Sequence, residues 1–567
     1  MKRNTILTFI MCLATLIGNA QPKFLNKVQK SIVSLNTYDR QGNLLHQGMA
    51  FFTGENGEGV ADYRTFKGAH KAVVIDDKGK QTDVKFILGA DDTYSMVRFT
   101  TSTKTTPLSL ATAPQPLKSS VWVLAHAGNN QLKSAHPTVE TSEMIQEKYA
   151  YYGLNTQMDD DMIGAPVFNE SGMLVGILHS KIGEKSYVLD IRFQNELTMK
   201  AIPGTSASTA LSNIFIPRAL PSSEQEALVY IYMQSQVASN EAYMDMLNRF
   251  IEAYPKNAEG YFRRATPLID LQRFDEAEAD MQKYLSMADN KSQGYYNAAS
   301  LIFDKLRLQP EPAYAKWTED VAISYLDQSI AAQSAYPNES ERSLNDVRCR
   351  ALKGELYLNK HDYDNAISSY ESLCKDYKPL PTYYYMISLA REGRGDSIEA
   401  VIAPIDSALA LYGEPLPTEA ASYVIRRGQI LANADRFREA VLDYNRYSYI
   451  LQNKVGAVFY YERSQIEVNA RMYQQALEDI NKAIELAPTV PLYHVEKGAI
   501  TVRVELYDDC IKACQTAISL DPSIIDAYRI MGYAQLKKGD KTSARQNMQK
   551  AIDMGDENAK KIMESEF

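Results

Sequence analysis

Residues 498–522 read GAITVRVELYDDCIKACQTAISLDP, and the spacing inside this stretch decides the fold of the second half of the chain. Gly498 is followed twelve positions later by another small residue, Cys510, and the stretch ends at Pro522. The spacing recurs, with three copies at successive steps of 34 residues. Such a period is typical of stacked helical repeats. The clearest pairs of small residues are Gly428 with Ala440, Ser464 with Ala476, Gly498 with Cys510, and Gly532 with Ala544.

Small residues at these positions let two antiparallel helices pack closely, while aromatic residues fill the space between repeats. The aromatic positions are Phe274, Tyr363, Phe437, Tyr473 and Tyr507, and earlier small pairs are Ala265 with Ala277, Gly354 with Ala366, and Ser388 with Ala400. The pattern resembles the tetratricopeptide repeat (TPR), which implies an all-α TPR superhelical solenoid. We expect about nine helix pairs over residues 223–567, two of them irregular, with RLQPEPAYAKWTED inserted inside one pair. Another helical-hairpin array is the alternative.

The first half of the chain follows a different pattern, in which turn clusters such as GENGEG and DDKGK separate short apolar runs. Nine runs have strand character: SIVSLNTYD, MAFFTG, KAVVIDD, DVKFILG, SMVRFTT, SSVWVLAH, APVFN, MLVGILHS and SYVLDIRF. This spacing predicts a β-barrel or sandwich up to residue 205. Residues 206–222, which include part of IPGTSAS, then read as a linker.

Residues 159–178, DDDMIGAPVFNESGMLVGIL, resemble the nucleophile loop and following hairpin of trypsin-like serine peptidases. Upstream, GMAFFTGENGEGVADYRTFKGAHKAVV resembles the segment that carries the catalytic histidine in the Deg-type members, and DDTYSMVRF resembles the strand that carries the aspartate. The resemblance implies an all-β, double-barrel trypsin-like domain over residues 21–205.

The resemblance also places the triad positions, and none of them holds the expected residue. Arg64 stands at the histidine position, Ser95 or Thr93 at the aspartate position, and Ile163 at the serine position. A guanidinium stays protonated and cannot act as a base, and isoleucine has no nucleophilic atom. Asp161 stands at the oxyanion glycine, where a carboxylate opposes stabilisation of a developing negative charge. We therefore expect no catalytic residues and no enzymatic activity.

Composition and termini indicate an exported protein. Residues 1–20 read as a signal peptide, with Lys2 and Arg3 before a short apolar core and GNA before Gln21. Removing the two basic residues changes the formal net charge from −9 to −11, which disfavours nucleic-acid binding. No later apolar run is long enough to span a membrane. We expect the periplasm, or association with the outer membrane, of a Gram-negative bacterium.

Four cysteines remain after signal cleavage, too few for a disulfide scaffold: Cys349, Cys374, Cys510 and Cys514. Cys510 and Cys514 are four apart on a predicted helix, which favours two small core residues over a metal or redox pair. MDDD (158–161) favours a solvated acidic turn over a hard-cation site. We expect no metal and no cofactor.

In TPR arrays the first helix of each pair lines a groove, and the resemblance carries this role to positions in the later repeats. The candidate protein-binding residues are Ile425, Arg426, Gln429, Tyr461, Gln465, Asn469, Val495, Arg529 and Tyr533. This mixture of apolar, tyrosine and amide groups suits an extended peptide or a partner helix. The Lys/Asn set that grips a carboxyl terminus in chaperone-docking TPR domains is absent.

These observations favour an exported, non-catalytic scaffold or adaptor that binds other proteins through the TPR groove. The degenerate peptidase domain would be a docking or peptide-holding module. Two alternatives remain open: an active peptidase that uses unorthodox residues, and a decoy or inhibitor that sequesters peptides in the inactive cleft.

Overall fold

The computed structural model describes residues 22–126 and 132–566. The predicted signal peptide, residues 1–20, lies outside them. The chain divides into two compact units, Met1–Lys283 and Tyr284–Phe567. The first unit contains every described strand and the first helices, and the second contains helices alone.

The first six strands form a closed antiparallel barrel in the order β1-β2-β3-β6-β5-β4. Their bounds are β1 Ile32–Tyr38, β2 Leu44–Phe52, β3 Glu58–Asp62, β4 Lys71–Ile75, β5 Gln81–Asp91 and β6 Met96–Thr101. Alternating residues point inward, so that Leu35, Ile87 and Phe99 are fully buried. Two short helices, α1 (Phe24–Val28) and α2 (Tyr63–Phe66), precede β1 and follow β3.

Seven further strands form a second antiparallel sheet in the order β8-β7-β11-β12-β13-β10-β9. Their bounds are β7 Val121–His126, β8 Leu132–Ala135, β9 Val139–Ile145, β10 Tyr149–Leu154, β11 Pro166–Asn169, β12 Leu174–Ile182 and β13 Lys185–Asp190. All nine predicted runs contain strands. The sequence patterns missed β3, β8, β9 and β10, because these are short, polar or interrupted by turn residues.

Residues 206–222 carry more structure than the predicted linker. Helix α3 (Thr205–Ser212) is followed by Ile214 and Ile216, and these two side chains are buried in the core of the first barrel. Arg218 forms a parallel β-bridge with Ile87 of β5. Ile214 and Ile216 therefore complete the barrel core.

The first helix pair packs on the same barrel. It consists of α4 (Glu224–Gln234) and α5 (Asn240–Ala253), whose Tyr230 and Met246 belong to the barrel's core cluster. The Arg249 guanidinium lies 4.5 Å from the centroid of the Phe86 ring, and its Nη1 donates a hydrogen bond of 3.1 Å to the Arg218 carbonyl. The β region and the start of the helical region thus share one hydrophobic core.

From residue 224 onward the described residues form nine consecutive helix pairs and a final single helix, consistent with a TPR solenoid. The bounds after α5 are α6 Ala258–Asp270, α7 Phe274–Met287, α8 Lys291–Leu308, α9 Glu319–Ala331, α10 Glu339–Asn359, α11 Tyr363–Asp376, α12 Pro381–Arg394, α13 Ile398–Ala410, α14 Ala421–Asn433, α15 Phe437–Ile450, α16 Ala457–Asn469, α17 Tyr473–Leu486, α18 Pro491–Arg503, α19 Tyr507–Leu520, α20 Ile525–Lys537, α21 Lys541–Asp553 and α22 Glu557–Glu566. The predicted insertion lies between α8 and α9. None of these helices is long and apolar enough to cross a membrane.

The small residues act as predicted at the helix crossings. A Cβ atom built on Gly498 would stand 2.7 Å from the Cys514 Sγ, and one on Gly428 would stand 3.0 Å from the Tyr444 ring. Cys510 and Cys514 are buried in one apolar cluster and are free thiols. Their environment therefore fits the predicted role of small core residues.

A second repeated feature lies inside the helix pairs. An arginine on the first helix makes a two-pronged ion pair with a buried aspartate sixteen residues later, on the second helix. The pairs are Arg264–Asp280, Arg427–Asp443 and Arg463–Asp479. In the Arg427–Asp443 pair, Nε–Oδ2 is 2.8 Å and Nη2–Oδ1 is 2.7 Å. Such pairing satisfies a carboxylate that would otherwise be costly to bury.

Candidate functional site

The residue at the histidine position, Arg64, is held by a carboxylate two residues earlier. Asp62 caps helix α2, since its Oδ1 accepts from the Arg64 backbone N–H at 2.8 Å. The same oxygen accepts from Arg64 Nε at 2.8 Å, and Oδ2 accepts from Nη2. The hydrogen bonds to Asp62 raise the pKa of the guanidinium. Arg64 therefore stays charged and is compensated by a buried partner.

The structure distinguishes the two residues proposed for the aspartate position. Ser95 is buried, and its Oγ donates to Asp62 Oδ1 at 3.2 Å, beside Arg64. Thr93 instead pairs with the hydroxyl of Ser206 at 3.0 Å. Of the two, Ser95 is the residue that the fold brings to the position next to Arg64.

The loop that carries Ile163 reaches the same place. Gly164 has a φ of +89°, and a Cβ built on it would lie 3.4 Å from the Cβ of Asp62. Arg64 Nη2 donates to the His179 carbonyl on β12 at 2.6 Å. The fold therefore brings Ser95 and the glycine that follows Ile163 to the Arg64–Asp62 pair, together with the His179 carbonyl. The sequence patterns did not identify Asp62.

His179 is the only histidine among the described residues that contacts Arg64 through a hydrogen bond. Burial lowers the pKa of its imidazole, and within the described residues its Nδ1 has no hydrogen-bond partner. Its ring lies edge-on to Tyr151, with centroids 5.8 Å apart. The ring therefore packs as an aromatic group in a setting that disfavours its protonation.

Each carboxylate of the acidic turn 159–161 contacts one of two lysines. Lys133 Nζ lies 3.0 Å from Asp161 Oδ1 and also contacts Asp159, while Lys181 Nζ lies 2.6 Å from Asp160 Oδ1. The hydrogen bond from Lys133 lowers the pKa of Asp159. Among the described residues, no cluster of three or more His, Cys, Asp or Glu is arranged to hold a metal ion.

Eight of the nine candidate protein-binding residues line two neighbouring cavities on the first helices of the later repeats. The first cavity, of about 450 Å³, includes Arg426, Gln429, Gln465 and Asn469. The second, of about 540 Å³, includes Tyr461, Gln465, Val495, Arg529 and Tyr533. Gln465 lines both, so the two cavities share a wall. We call the two together the first-helix face.

Ile425 lies elsewhere. It is half-buried against the apolar cluster around Leu431 and Val441 and lines neither cavity. The first cavity instead contains Asn433, one turn after Gln429. The sequence analysis did not include Asn433, although it occupies in α14 the position that Asn469 occupies in α16. The role of all these residues in binding stays a prediction.

The charged groups of the first-helix face are largely compensated within the fold. Arg426 pairs with Glu392, and Arg529 Nε lies 2.7 Å from Asp556 Oδ2. Burial raises the pKa of Glu496, while a hydrogen bond to Gln465 and the charge of Arg503 act in the opposite direction. The face therefore offers tyrosine, amide and apolar groups rather than a net charge.

Known proteins resemble the helical half through its repeats. Residues 457–490 match the family model for the tetratricopeptide repeat. Small glutamine-rich tetratricopeptide repeat-containing protein 2 of Saccharomyces cerevisiae is 28% identical over 95 residues, 17% of this chain and 28% of that protein. The DnaJ protein P58IPK homolog of Arabidopsis thaliana is 23% identical over 312 residues, 54% of this chain and 57% of that protein. The chain thus spans less than two thirds of either relative.

Solved structures similar to this chain include trypsin-like serine proteases. A protease from M. tuberculosis, in its active form, aligns with a TM-score of 0.28 and 13% identity over 35% of this chain and 87% of that one. The serine endoprotease from Yersinia pestis aligns with a TM-score of 0.27 and 11% identity over 30% of this chain and 62% of that one. Proteins built from the repeat that matches residues 457–490 are generally protein-interaction scaffolds.

Proposed function

We propose that this chain is an exported, non-catalytic scaffold that binds other proteins through the first-helix face of its later repeats. The observation that carries the proposal is the pair of adjoining cavities, of about 450 and 540 Å³, built from side chains of successive repeats. TPR arrays present such faces to protein partners. The β region would serve as a docking or peptide-holding module.

Export rests on the amino-terminal sequence. Lys2 and Arg3, the apolar core and the small residues before Gln21 together favour secretion into the envelope of a Gram-negative bacterium. Labelling of the amino terminus of the mature protein tests this part of the proposal. Cleavage after Ala20 supports it, and an intact Met1 in protein recovered from the cytoplasm contradicts it.

Absence of catalysis is supported by the contacts of the triad positions. Arg64 is charged and bound to Asp62, and Ile163 offers no nucleophile. We expect the purified full chain to release no fluorescence from labelled casein above the buffer rate. Turnover that disappears in the Ser95→Ala or His179→Ala variant would instead establish a peptidase with unorthodox residues.

Partner capture tests the binding role. In the cavity variant, Asn469→Arg and Leu492→Arg each place a large charged side chain in the lining of one cavity, at positions that are exposed. In the control variant, Gln474→Arg and Gln515→Arg place the same side chain at exposed positions of second helices, outside both cavities. We expect the full chain and the control to retain the same envelope proteins, and the cavity variant to retain them at least about tenfold less. Equal retention by all three would overturn the proposal.

A further inference from the structure

Two carboxylates take no part in the ion pairs of the first-helix face. Glu462 in α16 and Glu496 in α18 lie 34 residues apart, at the same position of consecutive repeats, and each lines one of the two cavities. The neighbouring guanidinium groups, those of Arg426, Arg463 and Arg529, pair with other carboxylates. Each cavity therefore contains one acidic side chain for which the described residues provide no ion-pair partner.

Glu496 lies half-buried in the second cavity, close to a tyrosine. Burial raises the pKa of its carboxyl group, and the charge of Arg503 and a hydrogen bond to Gln465 reduce this effect. Burial, and then the charge of Glu496, raise the pKa of Tyr461. Arg503 itself donates from Nη1 to the Ala499 carbonyl at 2.7 Å. The carboxylate thus lies beside an aromatic ring with its charge only partly balanced.

Apolar and aromatic side chains complete the second cavity. Val495 and Ile530 form apolar walls, and the rings of Tyr461 and Tyr533 also line it. The Tyr533 ring already accepts one ammonium group, because Lys537 Nζ lies 5.0 Å from its centroid. Lysine and arginine carry an apolar stem below a charged head. Such a side chain could bury its stem against the walls and bring its head to the carboxylate and a ring.

The first cavity contains a similar set of groups. Tyr444 lines it together with Glu462, and Gln429 hydrogen-bonds the tyrosine hydroxyl, as Gln465 does to Tyr461 in the second cavity. Burial, and then the charge of Glu462, raise the pKa of Tyr444 to about 12. A tyrosine, a glutamine and a carboxylate without an ion-pair partner therefore occur together in both cavities.

We propose that the partner presents lysine or arginine side chains to the two cavities, with Glu496 and Glu462 as their counter-ions. The inference rests on the proposed binding role of the first-helix face. Charge complementarity favours this occupant, because an acidic side chain would meet a like charge in either cavity. An aliphatic side chain would bury the carboxylate further and leave it without a partner. Packed helices lie about 8–10 Å apart, so we expect a similar distance between the two basic side chains.

Fluorescence anisotropy on the full chain tests the inference with defined probes. These are end-blocked nonapeptide mixtures that carry an uncharged dye and are randomised over uncharged residues. Two fixed positions, three residues apart, both hold lysine, arginine, norleucine or glutamate. Norleucine keeps the apolar stem of lysine and lacks its charge.

Two variants with equal changes in net charge locate the effect. The first carries Glu462→Gln and Glu496→Gln, which keep the shape of the side chains and remove both carboxylates from the cavities. The control carries Glu485→Gln and Glu505→Gln, at exposed positions outside both cavities.

We expect the full chain to bind the lysine or the arginine mixture at least about fivefold more tightly than the norleucine mixture. The ratio should fall below about twofold in the Glu462→Gln, Glu496→Gln variant and stay unchanged in the control. Norleucine or glutamate mixtures that bind as tightly as the cationic ones would overturn the inference. So would a preference that persists in the first variant, or an equal loss in the control, which would assign it to overall charge.

Partner capture separates this inference from the proposed function. If the cavity variant lost the captured envelope proteins while the full chain showed no preference for the cationic mixtures, the proposed function would stand and this inference would fall. Retention of those proteins by the cavity variant would remove both.

Discussion

Polar side chains cluster both at the triad positions of the β region and on the first-helix face. The two clusters differ in whether these side chains pair with each other or face solvent. Around the triad positions the charges pair with one another: Arg64 with Asp62, and Lys133 with Asp161. On the first-helix face, Asn433 and Asn469 are exposed beside open cavities. Polar groups that the fold satisfies contribute to structure, whereas those left open to solvent are available to a partner.

The largest expected effect concerns the division between the two regions. A fragment of residues 22–222 ends before Tyr230 and Met246, which belong to the core of the first barrel, whereas a fragment of residues 22–254 retains them. We expect the shorter fragment to be less stable by about 4 kcal/mol, because two large buried side chains are lost. Urea unfolding of both fragments measures this. Equal midpoints would mean that the barrel does not depend on the first helix pair.

The next effect distinguishes a structural from a functional role for the triad positions. Asp62→Ala removes the cap of α2 and leaves Arg64 and Ser95 without their shared acceptor. We expect a loss of about 3 kcal/mol in unfolding free energy, and no change in partner capture. The control is Asp160→Ala, an exposed ion pair with Lys181 that should cost less than about 0.5 kcal/mol. Capture lost at unchanged stability would show that the cleft binds.

A pH-dependent effect lies within the repeats. Glu467 is 3% exposed, its Oε2 has no hydrogen-bond partner among the described residues, and burial beside Asp479 raises its pKa to about 8. In the unfolded chain the pKa of this carboxyl lies near the ordinary value of 4.5, so the unfolded state binds fewer protons than the folded state between pH 4.5 and 8. Stability should therefore fall as the pH rises from about 4.5 to about 8, and level off above.

The Glu467→Gln variant should lose this dependence, and its free energy of unfolding at pH 8 should exceed that of wild type by a few kcal/mol. Thermal unfolding at intervals between pH 5 and pH 9 measures the difference. The exposed Glu462→Gln on the same helix is the matched control. A wild-type stability that stays constant across this range would contradict a buried protonated carboxyl.

The smallest expected effect concerns the contribution of the two exposed asparagines to stability. Asn433→Ala with Asn469→Ala should change the unfolding free energy by less than about 0.5 kcal/mol, since both side chains are exposed. Chemical denaturation checks this before any binding measurement. A larger loss would make these amides part of the structure and weaken their assignment to a partner.

Much of the fold could be predicted because it depends on patterns that repeat. The small residues at helix crossings, such as Gly428 and Gly498, mark the helix pairs, and alternating apolar runs mark most strands. Strands such as β9, VETSEMI, were missed because their exposed faces are polar and lack the apolar alternation of a half-buried strand. The Arg–Asp ion pairs inside the helix pairs were not predicted, because the arginine and the aspartate lie sixteen residues apart on different helices.

The candidate sites were harder to predict because they depend on contacts between distant residues. The sequence alone did not distinguish Ser95 from Thr93 as the residue at the aspartate position. The hydrogen bond from Ser95 to Asp62 distinguishes them in the structure. Ile425 is half-buried against an apolar cluster and lines neither cavity, and its predicted role in the groove stays a prediction.

Hydrogen–deuterium exchange on the full chain, with and without a captured partner, distinguishes binding at the first-helix face from binding at the β region. We predict slower exchange on the first helices of the later repeats, 421–433, 457–469, 491–503 and 525–537, with residues 60–66, 93–96 and 160–180 unchanged. Protection confined to the residues around Arg64, Ser95 and Ile163, with unchanged exchange on the first helices, would contradict binding at the first-helix face and assign it to the β region.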